Sequence, residues 1–237
     1  MNEFLWGVVP YLSLAFLVGG TLHRYVSDPI GWGSRSSQLL ERRWLKWGSL
    51  LFHWGILFVF VGHVLGLLVP VEVWRAIGVG EALYHLTADW VGGAAGAAAW
   101  AGLAVLLLRR ALNRRVRLNS DVLMDWVALV LLFVVVSLGV AMTVGYNNVF
   151  GPYEYRTTVG PWIRSVLVLQ PEPGLMARVP VLLQAHILAA WVLFAISPYT
   201  RLVHIWSLPL AYLRRAPIQY RSRTHYAHRA TEEGGRT

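Results

Sequence analysis

Apolar residues in this chain come in long unbroken runs, not in the alternation of a half-buried sheet. The runs extend about from Phe4 to Leu22, Trp47 to Val69, Ala88 to Leu108, Val122 to Gly145, and Val181 to Pro198 or a little beyond. Each approaches the roughly 20 residues that carry a helix through a hydrocarbon layer about 30 Å thick. A helix closes its own backbone hydrogen bonds, which hydrocarbon cannot do for it. The pattern therefore predicts an all-α integral membrane protein, a bundle of five transmembrane helices. Met1-Asn2-Glu3 offers no basic leader, and no clear small-residue cleavage site follows the first run, so that run reads as a retained helix.

Composition agrees with the bilayer as solvent. The 237 residues are 56% hydrophobic and 14% charged, with a mean hydropathy of +0.50, more apolar surface than a soluble domain of this size could cover. A net charge of +9 raises the question of nucleic acid, but the distribution argues against it. Five basic residues lie from Arg24 to Lys46, five from Arg109 to Arg117 and seven from Arg201 to Arg236, whereas the other connections hold only Arg75, Arg156, Arg164 and Arg178. These groups fall on alternating sides of a five-helix chain, so the positive-inside rule sets the N-terminus outside and the C-terminus in the cytoplasm. Residues 1–210 read as one bundle. Residues 211–237 form a basic tail, either frayed or a docking arm for a cytoplasmic partner or anionic lipid.

The chain has no cysteine. That excludes a thiolate-held iron–sulfur cluster, covalent c-type haem, a disulfide and a cysteine nucleophile. Histidine carries the remaining chemistry. His53 and His63 lie in the second apolar run, and His186 and His204 lie in and just beyond the fifth. Ionisable groups in hydrocarbon are costly and need a partner. Antiparallel helices pair His53 with His204 near the cytoplasmic side and His63 with His186 near the outer side. Ten residues separate the first two histidines, about 15 Å along a helix. Eighteen separate the others, about 27 Å and a whole number of turns if the helix is straight. A helix tilt and a bend at Pro198 would reconcile the two.

Two such pairs favour haem over zinc, whose sites are compact. They predict two haem b groups with His53, His63, His186 and His204 as axial iron ligands, suited to electron transfer. The competing reading is a haem-free anchor or proton relay. Arg35, Arg42, Arg43 and Arg201 are candidates for haem propionate contacts or for headgroup anchoring. His85, beside Tyr84 in the connection before the third helix, is interface polarity or part of a quinol site. His23, His225 and His228 read as solvated. Gly48, Gly55 and Gly62 form a stripe opposite the histidines, which would admit a neighbouring helix, as would Gly92 with Gly96.

The run Ser36-Ser37-Gln38-Leu39-Leu40, then Leu51-Phe52-His53-Trp54-Gly55-Ile56-Leu57 and Val61-Gly62-His63, resembles the gamma subunit of respiratory nitrate reductase. The stretch Arg201-Leu202-Val203-His204-Ile205-Trp206-Ser207-Leu208-Pro209 is similar to that family's closing motif, while Gln184-Ala185-His186-Ile187-Leu188 follows it loosely. The resemblance covers nearly the whole chain. It implies a subunit of the bacterial or archaeal cytoplasmic (inner) membrane that anchors a molybdenum catalytic subunit and an iron–sulfur subunit. It also implies oxidation of ubiquinol or menaquinol near the outer haem of His63 and His186, with electrons passing inward through the haem of His53 and His204 to nitrate. Quinol-site candidates are His63, Tyr84 and His85; where some family members carry a lysine, this chain reads Ala82-Leu83-Tyr84-His85-Leu86. The haem-bearing alternative is a similar membrane subunit of a different molybdenum or iron–sulfur reductase.

Overall fold

The computed structural model describes residues 2–27 and 37–206. The basic tail, Arg35, His225 and His228 therefore lie outside the described residues. Among the described residues five helices are long and apolar enough to cross a membrane: α1 Phe4–Ser27, α2 Arg43–Leu68, α3 Glu81–Leu112, α4 Asp125–Phe150 and α5 Val181–Tyr199. Their number is as expected, and their ends differ. The third helix starts at Glu81, so Tyr84 and His85 stand on its first turns and not in the preceding connection. Glu81 in that first turn complements the helix dipole. Arg43 likewise starts α2 ahead of Trp47, because Glu41 Oε1 accepts the Trp44 amide at 2.9 Å.

The tightest packing joins α2 to α3 through glycine. A methyl group on Gly55 would stand 2.5 Å from the Ala99 amide nitrogen and 2.7 Å from the Ala95 carbonyl. One on Gly102 would collide with the backbone of Phe52. The two backbones thus touch along the stripe, which is what small residues permit in a membrane. The stripe is shorter than expected: Gly62 and Gly92 face open space, while Gly96 meets Val140 of α4.

Two apolar cores result. Ala99, Leu103, Leu129, Leu132, Val136, Leu193 and Leu202 fill the space between α3, α4 and α5. Trp6, Trp162, Val166, Met176 and Trp191 form the second, where a short helix Val159–Leu167 covers the ends of α1 and α5. Trp162 donates its indole N–H to the Trp6 carbonyl at 3.0 Å and stands edge-on to both Trp6 and Trp191.

At the opposite, arginine-rich end, α5 stops being an α-helix after Ile196. Pro198 sits in a single 3₁₀ turn, Thr200 is extended, and a second 3₁₀ turn runs Arg201–Ile205. His204 consequently does not continue the helix of His186. The straight-helix interval of 18 residues does not apply, and the expected bend near Pro198 is where the chain departs.

Candidate functional site

The four histidines come together as two pairs. The ring centres of His53 and His204 are 6.4 Å apart, and those of His63 and His186 are 6.1 Å apart. Each ring is oriented by its Nδ1 nitrogen. His53 Nδ1 lies 2.7 Å from the Ser49 carbonyl and His63 Nδ1 lies 2.8 Å from that of Val59, one turn back on the same helix. His186 Nδ1 reaches across to the Val135 carbonyl of α4 at 2.9 Å, and His204 Nδ1 meets the Arg201 carbonyl at 2.5 Å. A carbonyl can only accept, so these contacts assign the proton to Nδ1 and leave Nε2 with a lone pair. Two metal–imidazole bonds in line would place ring centres roughly 6–7 Å apart, so one metal ion fits in either gap. Among the described residues no group of three or more His, Cys, Asp or Glu side chains could hold a metal ion.

Helix packing explains two of these positions. A side chain at Gly139 of α4 would stand 3.1 Å from His186 Cε1, so the missing Cβ makes room for the ring. Beside His53 an open groove of about 540 Å³ is walled by Gln38, Arg42, Lys46, Ser49 and Trp54. Arg201 points elsewhere: its Nη2 meets Asp125 at 2.7 Å.

At the other end, next to the turn that follows His63, five polar side chains interlock. Tyr84 and Tyr155 share a hydrogen bond of 2.7 Å, and a Cβ on Gly66 would stand 2.6 Å from either hydroxyl. The Arg156 guanidinium lies 3.8 Å from the Tyr84 ring centre and donates to both oxygens of Glu154 at 2.7 and 2.6 Å. The second of those oxygens also meets His85 Nε2 at 3.0 Å. Burial works against the Glu154 carboxylate, but the hydrogen bonds from Arg156 and His85 prevail and hold it below the ordinary carboxylate range. Burial, reinforced by Tyr84, pushes the Tyr155 phenol up and keeps it protonated.

Of the sequence candidates, His63, Tyr84 and His85 thus share one end of the bundle. Sequence reading missed Glu154, Tyr155, Arg156 and Gly139. The acidic and basic residues two apart in a short polar connection were the available signal for the first three; nothing marked Gly139.

Comparison with known proteins gives the family. Residues 2–223 match the family described as nitrate reductase gamma subunit. The nitrate reductase gamma chain of Bacillus subtilis is 44% identical over 94% of this chain and 99% of its own length. The respiratory nitrate reductase 1 gamma chain of Escherichia coli is 33% identical over 91% of this chain and 95% of its own. A nitrate reductase-like protein NarX of Mycobacterium tuberculosis is 43% identical over 94% of this chain and 34% of its own. The chain belongs to the nitrate reductase gamma subunit family, and is a multi-pass membrane subunit of a respiratory nitrate reductase that works with catalytic and other partner subunits.

Proposed function

We propose that this gamma subunit is a di-haem b cytochrome that oxidises quinol at the outer face and passes electrons inward to iron–sulfur and molybdenum subunits. The observation that carries the reading is the matched spacing of the two ring pairs, each with its Nε2 lone pairs free for iron. His63 and His186 would hold the outer haem, His53 and His204 the inner. Each pair would supply two donors, which suits a group that brings its remaining iron ligands with it. When bound, the haems supply one-electron acceptors with no open coordination position. The arginine-rich end, carrying His53 and His204, is cytoplasmic on the charge bias. Arg42 walls the groove beside His53 and would serve as a propionate partner there.

Quinol chemistry requires that protons leave at the outer face as electrons enter. His85 donates its Nε2 proton to Glu154, which leaves Nδ1 as the acceptor for a quinol hydroxyl. The Glu154 carboxylate stabilises the imidazolium that results, while Arg156 holds that carboxylate in place and ionised. The Tyr84–Tyr155 pair offers hydroxyls to a quinol or quinone oxygen. Either ubiquinol or menaquinol meets these requirements.

His63→Ala in the intact complex is the direct test. It should remove the outer haem and abolish quinol-driven nitrate reduction, while a dye donor that reaches the soluble subunits still supports turnover. Full quinol activity with both haems retained would overturn the proposal.

A further inference from the structure

The arginine-rich end holds a charge cluster that the ring pairs do not by themselves require. Arg110 and Asp125 are nearly inaccessible, 4% and 9% exposed. Asp125 Oδ1 forms ion pairs with Arg110 Nη1 at 3.0 Å and Arg201 Nη2 at 2.7 Å. The carboxylate and the two guanidiniums act on one another in poorly screening surroundings. The neighbouring Arg109 is neutralised separately, by Glu41 at 2.7 Å.

The cluster reaches a histidine through one residue. The carbonyl of Arg201 accepts the His204 Nδ1 proton, and the turn carrying both is closed by Thr200 Oγ1, which accepts the Leu202 amide at 3.2 Å. Arg201 therefore joins Asp125 at the start of α4 to the ring of His204. A partner on the far nitrogen of a ligating imidazole fixes its orientation and raises its basicity.

We propose that Asp125 is a positioning residue for the inner haem ligand, and that with Arg110 and Arg201 it sets the charge felt by the inner iron. The inference rests on the haem reading above. It fixes a sign. Removing the carboxylate's charge makes the cluster one unit more positive and loosens Arg201. Both changes disfavour the more positive ferric state and raise the inner potential. Removing Arg110 makes the cluster one unit more negative and lowers it.

The experiment is a potentiometric titration of the intact membrane complex, followed optically and by electron paramagnetic resonance, with the outer haem as internal reference. Asp125→Asn should shift the inner haem upward and Arg110→Gln downward, with the outer haem unmoved in both and Asp125→Glu close to the parent. Shifts of the same sign, no shift, or an equal shift at the outer haem would overturn the inference. Should Asp125→Asn lose the inner haem, its return in Asp125→Glu supports positioning, and loss in both variants overturns it. A parent complex containing neither haem would instead overturn the reading beneath.

Discussion

At Glu154 one carboxylate binds Arg156 through two oxygens and His85 through one, so a change there reaches both the connection after α4 and the start of α3. Glu154→Gln keeps the shape and removes the charge. It should slow quinol-driven turnover by about 10²-fold, the usual scale of a lost proton-transfer partner, and leave dye-driven turnover intact. Equal losses with both donors would contradict the proton-accepting role. The same carboxylate has a pH signature. Because its folded-state pKa is depressed, its stabilisation is complete above the unfolded value of about 4.3 and is lost as pH falls through the folded value. The difference in thermal stability between parent and Glu154→Gln should be flat from pH 7 to 5 and shrink only in more acid solution. A difference that shrinks already between pH 7 and 5 would contradict this.

Individual elements show which features of the fold the sequence could disclose. Hydrophobic runs announce helices because hydrocarbon leaves the backbone no other partner, so all five were legible. Helix ends are set by local polar contacts instead, and the capping of α2 by Glu41 or the early start of α3 at Glu81 carries no hydropathy signal. The glycine stripe was half legible: spacing placed Gly48, Gly55 and Gly62 on one side, but only Gly48 and Gly55 meet α3, and Gly62 faces open space although contact resumes at Gly66. Gly55→Val should destabilise the detergent-solubilised subunit by about 1–3 kcal/mol, since its Cβ would strike backbone that cannot give way. Gly62→Ala should be near neutral in the same thermal unfolding measurement, and comparable costs at both sites would contradict the packing described.

For the whole molecule, the histidine pairs were readable because antiparallel topology allows only one assignment. Their orientation was not, since the Val135 carbonyl and the space at Gly139 come from α4, far from His186 in sequence. The break after Ile196 likewise turned an unfavourable spacing into a matched one. Orientation across the membrane is open to direct test, because the chain has no cysteine of its own. A single cysteine at Arg115 should react with an impermeant thiol reagent only from the cytoplasmic side, and one at Arg178 only from outside. The reverse labelling would invert the bundle and with it the direction of electron flow.

The central claim is that two iron-bearing groups sit between these four rings. A dithionite-reduced minus oxidised optical spectrum of the purified complex, with haem quantified per gamma chain, tests it most directly. Two b-type haems for each chain, with quinol alone reducing at least the outer one, is the predicted result. A single haem would dissolve one of the pairs, and a complex without haem whose other cofactors survived purification would contradict the account.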